Sequence, residues 1–405
     1  MERALPLIIK GGRLKSIDAL RGAAALGVVL YHMVGPKPQV AAGNSWRWLS
    51  LPFLHAFSFG YVGVFLFFVI SGFCIHLQWA KARAAGRNPE IDFAAFWKRR
   101  LRRLYPPYLI ALVLYLIISA LTSSVQFNFF YFWDVGLHLS MLHNLDPRTS
   151  YSINGVFWTL AIEEQLYLAY FLLLFLRRRW GWGGALACCA VARLAWLALG
   201  ESLKHGFGME IPVTEAAAVH WFTWALGALS VEAAMGLTRL PDWCRNMWVG
   251  GAALAYAIIL SYVSPQYDDN FFLHHGLWLT LHPAWGLGFF ILVNRAVHAE
   301  NSWRVRRHLP RLVAGLAAIG LFSYSLYLTH ELVLMETWRV NAFPLLNSLP
   351  LPPLLFSLII MTPLTVVCAW LFFLLCEWPF LSRPAAAAAA QSLQAKTQAG
   401  EAVSA

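Results

Sequence analysis

The sequence predicts an all-α, polytopic membrane protein, and three observations carry that prediction. Hydrophobic residues make up 59% of the chain and charged residues only 13%. With a mean hydropathy of +0.57, this composition excludes an ordinary soluble domain. Apolar runs of bilayer length then recur from end to end. Ten spans are expected, at approximately 16–35, 57–78, 105–122, 158–176, 183–200, 216–236, 247–264, 274–296, 312–334 and 354–376, each about 20 residues as a ~30 Å core requires. The third observation is where the charges fall. With the N-terminus in the cytoplasm, 24 of the 31 Lys and Arg lie in inside segments. Only Lys37, Arg47, Arg148, Lys204 and Arg339 lie outside, and Arg21 and Arg193 fall within spans. That alternation satisfies the positive-inside rule and puts both termini in the cytoplasm.

The net charge of +11 is therefore mostly topological, and no nucleic-acid partner is expected. Nineteen Trp and fourteen Tyr suit a chain with two membrane interfaces, where such rings settle. Six Cys show no CxxC or other metal-ligand spacing, so neither a disulfide framework nor a metal site is expected. The first apolar segment lacks an A-x-A exit, which argues against a cleavable signal peptide. The organisation read from the chain is a cytoplasmic segment 1–15, a transmembrane domain 16–380 and a disordered Ala-rich tail 381–405.

The first span, Ser16 to His32, carries Asp18, Arg21 and His32. An ionisable side chain at mid-bilayer costs about 2.5–3.5 kcal/mol on insertion scales, so it is a functional-site hypothesis by default. At ~100° per residue, Arg21 and His32 fall on one helix face, and Asp18 is spaced to pair with Arg21. Gly22, the following alanines and Gly27 offer a slim surface to neighbouring helices. In the second span, Ser71 and Gly72 interrupt an aromatic wall and permit close backbone approach. His76, at its inner end, reads as interfacial.

Before the third span, Lys98, Arg99, Arg100, Arg102 and Arg103 form a block of five cations in six residues. Such a block suits either anionic lipid headgroups or a phosphorylated ligand. The Thr122–Gly155 stretch reads as a long outer loop rich in aromatics: a cover over a site, a contact for a glycan, whose rings stack on aromatic faces, or an interfacial lid. It leads into Trp158 and the adjacent Glu163 and Glu164, of which Glu163 is the one expected to face inward. Arg193 is expected to pair with a carbonyl or acid. His274, His275 and His282 read as interfacial. The ninth span ends in Ser323-Tyr324-Ser325-Leu-Tyr327-Leu-Thr329-His330, and the tenth closes at Glu377-Trp-Pro379.

Rise per residue converts these positions into depths. His32 lies about 22 Å and His330 about 27 Å above the cytoplasmic surface, and Glu163 about 8 Å below the outer one. The three are thus expected in one layer, with Asp18, Arg21 and the basic block on the inner side.

Six segments in fixed order resemble the acyltransferase 3 family of integral-membrane acyltransferases. They are Asp18-Ala-Leu-Arg21-Gly22 with His32 ten residues beyond the glycine; Gly63 to Phe73; Arg99-Arg100-x-x-Arg103; Trp158-Thr159-Leu-x-x-Glu163; Ser323-Tyr324-x-x-Tyr327-Leu-x-His330; and Glu377-x-Pro379. Thr159 stands where the family usually has Ser, and Thr329 where an aromatic is common. The resemblance covers roughly residues 14 to 380. It implies O-acylation of a hydroxyl on a glycan or lipid-linked sugar, at the outer face of the bacterial inner membrane. The implied donor is cytosolic acyl-CoA, usually acetyl-CoA, bound as a cosubstrate, with no tightly bound cofactor.

It also implies catalytic roles for Arg21 and His32, donor binding by the basic block, and a functional glutamate at Glu163. On this reading His32 is the general base, and Asp18 and Arg21 orient the first-span site. Trp158, Tyr324, His330 and Ser71 line the acceptor path. Acyl-histidine and direct transfer are both compatible. No appended SGNH-type hydrolase domain is expected. The alternative is a transporter of an acylated or sugar-containing small molecule, since buried charges also mark transport paths; no inverted repeat supports it.

Overall fold

The computed structural model describes residues 13–34, 57–122, 125–263, 271–306, 309–339 and 357–381. Outside these lie most of the N-terminal segment, the stretch carrying Lys37 and Arg47, and the Ala-rich tail. Among the described residues the chain is helical, without a strand. The long elements are α1 (Lys15–Val34), α2 (Gly63–Ala84), α3 (Phe93–Thr122), α4 (Phe129–Leu139), α5 (Trp158–Phe207), α6 (Ala217–Ala234), α7 (Met247–Val263), α8 (Phe271–Arg306), α9 (Arg311–Leu321), α10 (Ser323–Arg339) and α11 (Thr362–Phe372).

Four helices are individually long and apolar enough to cross a bilayer, and α9 with α10 makes a fifth if the bent pair counts as one. Large apolar side chains stand exposed on their outer faces, among them Leu121, Phe175, Val191 and Leu375. With this helical, apolar architecture the chain is an integral membrane protein. Inside, α1, α2, α6 and α8 share one apolar core around Phe65, Val69, Phe73, Val231 and Val293. A second core joins α2, α5 and α6 around Phe68, Ile162, Tyr170 and Trp224. A third joins α3, α5 and α10 around Tyr108, Leu112, Phe157 and Leu328.

Glycines set the closest crossings. A Cβ on Gly22 would stand 2.0 Å from the Leu316 carbonyl oxygen, and one on Gly320 would stand 1.9 Å from that of Asp18. Helices α1 and α9 therefore touch backbone to backbone. The same holds for α2 and α6, where Gly72 meets the Trp224 carbonyl and Gly227 that of Val69. Gly72 thus serves helix packing. The first turn of α1 has no intrahelical acceptors for its N–H groups. Glu300 of α8 supplies them, accepting from Lys15 N (3.2 Å), Ser16 N (2.9 Å) and Ser16 Oγ (2.6 Å).

Two elements differ from the sequence expectation. The ninth span is broken at Phe322, where α9 and α10 meet at 74°, so a straight-helix depth for His330 does not apply. The stretch expected as a loop, 122–155, contains α4, started by Asn128, whose side chain accepts from Tyr131 N at 2.9 Å in the manner of an N-cap. Helix α5 is a hairpin, in line with the two apolar runs expected at 158–176 and 183–200. Gly181 has φ +68°, a conformation open to glycine, and the chain doubles back there. Trp158 on one arm and Arg193 on the other consequently both reach the His220 region.

Buried polar groups show where sequence reading assigned surface positions. His76 is buried, not interfacial: its ring nitrogens bond Tyr170 Oη and Glu232 Oε1, both at 2.9 Å. Glu232 also accepts from Arg177 (2.7 Å), Trp182 (2.9 Å) and Thr238 (3.0 Å). His282 is buried too, stacked on His220. The carbonyl that Arg193 takes is that of Val219, at 3.2 Å, with His282 Nδ1 at 3.4 Å.

Gly320→Ala is expected to lower the melting temperature of the detergent-solubilised protein, since overpacking costs about 1–3 kcal/mol and the obstacle is backbone. Gly315→Ala, on the same helix with open space around its Cβ, should leave it unchanged or slightly raised. Equal behaviour of the two variants would refute the crossing.

Candidate active site

The site is built by three helices that each contribute at two levels. Helix α1 carries Arg21 and His32, eleven residues or about 16 Å of rise apart on one face. Helix α5 carries Thr159 and, one turn on, Glu163. Helix α10 carries Tyr324 and Ser325 at its start and His330 nearly two turns later.

At the first level two imidazoles meet. The rings of His32 and His330 lie 5.1 Å apart, centroid to centroid. His32 Nδ1 is 2.9 Å from Val28 O, and His330 Nδ1 is 2.9 Å from Tyr327 O and 3.1 Å from Leu326 O. A carbonyl only accepts, so both Nδ1 atoms donate, and each neutral ring keeps its lone pair on Nε2. His330 Nε2 is buried without a partner. Tyr327 packs beside His330 and bonds Thr159 Oγ1 at 2.7 Å. The neighbouring Glu331 accepts from Gly155 N at 2.7 Å, which ties the start of α5 to α10.

The second level is cationic. Helical periodicity splits the basic block: Arg100 and Arg103, three residues apart, turn inward, whereas Lys98, Arg99 and Arg102 stand exposed. Arg100 lies over the Phe96 and Tyr167 rings at 5.6 and 5.8 Å, within the ~6 Å of a cation–π contact. Arg21, Arg100 and Arg103 are all within electrostatic range of the Cys74 thiol. Arg21 also reaches Glu163 and Glu377. The Nε groups of Arg21 and Arg103 are buried with no hydrogen-bond partner. Buried donors of this kind are costly unless something fills the gap, and a phosphate group has the chemistry to do so.

Asp18 does not pair with Arg21. It takes Arg13, whose Nε donates to Oδ1 at 2.8 Å, and Arg21 is left to the interior. Nor does Glu163 sit beside the imidazoles. Tyr167 donates to it at 3.1 Å and Ser71 lies in reach of both residues, which holds it on the Arg21 side. Ser71 in turn accepts from Trp224 Nε1 at 3.2 Å. Tyr324 donates to Leu104 O at 2.9 Å, fastening the start of α10 to the basic end of α3. Trp158 lies apart from the imidazole pair, 6.3 Å from the His220 ring.

One contributor absent from the sequence-derived set is Glu377. It is buried, accepts from Ser325 Oγ at 2.5 Å and lies within range of Arg103, Arg21 and Tyr324. Ser325 belongs to the first turn of α10, so Glu377 places a carboxylate at the positive end of that helix. Its position in the closing Glu-x-Pro segment was a signal for it.

Ionisable groups are thus enclosed among membrane helices, with the unpartnered Nε2 of His330 at one level and the unpartnered Nε groups of Arg21 and Arg103 at the other. The chain belongs to the acyltransferase 3 family, whose Acyltransferase domain model matches residues 14–374. It is similar to O-acetyltransferase OatA of Staphylococcus aureus (strain NCTC 8325 / PS 47), with 25% identity over 367 residues, 83% of this chain and 53% of that protein. It also resembles Peptidoglycan O-acetyltransferase OatA of Listeria monocytogenes serovar 1/2a, 32% identical over 180 residues, 40% of this chain and 24% of that protein. The Putative O-acetyltransferase SACOL0978 of Staphylococcus aureus (strain COL) is 24% identical over 388 residues, 90% of this chain and 56% of that one. The chain thus spans about half the length of these two Staphylococcus aureus relatives. No solved structure matches.

Replacing Glu377 with Leu strands the Ser325 hydroxyl and removes the carboxylate facing Arg103. A loss of about 1–3 kcal/mol is expected for unsatisfied buried groups, read as a lower melting temperature, with Glu377→Gln milder. An unaltered Leu variant would show that the contact carries no stability.

Proposed function

We propose that this protein is an O-acetyltransferase of the bacterial inner membrane. It transfers an acetyl group from cytosolic acetyl-CoA to a hydroxyl of a glycan or lipid-linked sugar on the outer side. The ten-span topology with both termini inside belongs to this reading, supported by the charge asymmetry of the sequence and by helices over the expected ranges. The relatives named as O-acetyltransferases, one of them a peptidoglycan O-acetyltransferase, support the acetyl group and the glycan acceptor.

The observation that carries the mechanism is the His32–His330 pair with both Nδ1 protons committed to helix carbonyls. His32 Nε2 is then free to take the proton of the acceptor hydroxyl. The hydroxyl oxygen attacks the thioester carbonyl carbon, the C–S bond breaks, and the CoA thiolate leaves and takes up a proton. General-base help of this kind contributes about 10²–10⁴ in rate. His330 orients the acceptor or the His32 ring. Arg21, Arg100 and Arg103 clamp donor phosphates, with Asp18 and Arg13 fixing the first turn of α1. Lys98, Arg99 and Arg102 act from the surface, drawing an anionic donor or anionic lipid toward that mouth. Glu163, held by Tyr167 and Ser71, lines the passage between the two levels with Tyr324, and Trp158 stands at the acceptor side.

The test is acetyl transfer from labelled acetyl-CoA by the purified protein in nanodiscs. His32→Ala should lose about 10²–10⁴ in kcat while acetyl-CoA still binds; transfer at the wild-type rate would sink the assignment. Arg103→Ala should raise the KM for acetyl-CoA far more than Arg99→Ala does. Equal effects would mean that the block acts only as surface charge.

A further inference from the structure

A cavity of about 280 Å³ opens away from the two levels just described, beyond Trp158. That volume is just below the ~300 Å³ at which ordinary small-ligand sites begin, room for a single sugar ring. Its walls are Tyr151 from the turn before α5, Glu201 and Lys204 from the last turns of α5, and Glu210, Val213 and Glu215 from the segment joining α5 to α6.

This cavity is built. The 210–215 segment has its carbonyls captured one by one: Pro212 O by Trp196 Nε1 at 3.2 Å, Thr214 O by the buried His220 Nε2 at 2.7 Å, and Glu215 O by the buried Asn144 at 2.8 Å. Asn144 is locked in turn by Gln165. Gly200 lets the segment close in, since a Cβ there would stand 2.8 Å from Val213 Cγ2. The opposite wall is equally fixed. Asp146 O accepts from Thr149 N and Ser150 N, and side-chain hydrogen bonds from Arg148 hold the Asp146 carboxyl down to about 2, so that turn keeps its ion pair at neutral pH. A segment that only joined two helices would need none of this.

The chemistry of the walls is specific. Tyr151, about half exposed at 51%, offers an aromatic face and donates its phenol to Glu215 Oε1. Thr214 Oγ1 donates to the same oxygen at 2.6 Å, and no described residue donates to Oε2. Three carboxylates face one ammonium group, and the His205 ring stands 3.3 Å from Glu201. A carboxylate accepts from vicinal hydroxyls or an ammonium group and repels another acid. The cavity borders Trp158, placed above at the acceptor side, since the Tyr151 ring is 6.1 Å from that of Trp158.

We propose that this cavity is an acceptor subsite. It holds a neutral or amino-bearing sugar unit of the glycan, next to the one that is acetylated, and turns away acidic sugars. The assignment rests on the O-acetyltransferase reading above and narrows its substrate class.

The experiment is equilibrium binding to the full chain in nanodiscs without acetyl-CoA, using glucosamine tetramer, N-acetylglucosamine tetramer and tetragalacturonate as probes. Expected is binding of the first two and none of the third. Tyr151→Ala combined with Glu215→Gln should weaken binding about ten-fold or more and leave acetyl-CoA binding unchanged, which also reports that the variant has folded. Glu210→Lys, at an exposed position, should admit tetragalacturonate. The subsite is overturned if no tetramer binds the wild type, if tetragalacturonate binds as well as the others, or if the double variant binds like wild type. Because binding is read without turnover, these failures stand apart from a failure of acetyl transfer itself.

Discussion

Two carbonyl oxygens pressed against two glycines hold the arrangement together. The Asp18 carbonyl fills the space a side chain on Gly320 would need, and the Leu316 carbonyl does the same at Gly22. Helix α9 is thereby pinned to the first turns of α1 and ends one residue later, at Leu321. The chain then turns 74° and begins a new helix inside the protein instead of at a membrane surface. An internal helix start exposes unsatisfied N–H groups and a positive dipole end. Glu377 answers that need through Ser325, and Tyr324 ties the same turn to α3. The break is what lets a short run of residues serve the cationic level at its beginning and the imidazole level at its end.

Separation of the two levels follows from the same geometry. A phosphate-bearing group and a proton-accepting group make opposite demands on their surroundings. The first needs several positive charges gathered together; the second needs a neutral ring with an available lone pair. Placing Arg21 and His32 on one face of α1, about 16 Å apart, keeps the guanidinium field away from the imidazoles while one helix carries both. Glu163 and Glu377 lie among the arginines rather than among the histidines. The charge of that level is therefore partly balanced while the Nε groups of Arg21 and Arg103 remain unpaired.

Much of this was legible in the chain. The helix ranges follow from hydropathy, and the doubling back of α5 was foreseen as two spans because apolar length and the Arg177–Arg179 cluster force it. Arg21 and His32 could be placed on one face because α1 is a regular helix. What escaped was whatever depends on irregular backbone or on distant partners. The depth assigned to His330 assumed a straight ninth span. Asp18 was paired by spacing with Arg21, although Arg13, in the segment just before the helix, reaches it instead. Glu232 gives no local sign that it gathers His76, Arg177, Trp182 and Thr238, since those contacts join three helices. The split of the basic block was readable in principle, as the three-residue spacing of Arg100 and Arg103 puts them on one side.

The α5 hairpin has a mechanical side. Glu232 grips Arg177 and Trp182, which flank the bend at Gly181 from opposite arms, so the closed end behaves as a riveted joint. The open end carries Trp158 on one arm and Gly200 to Lys204 on the other. Tweezers fixed at the hinge part most at their tips. Any small change in the angle between the arms is therefore felt least at the rivet and most at the cavity bordered by Tyr151, Gly200 and Lys204.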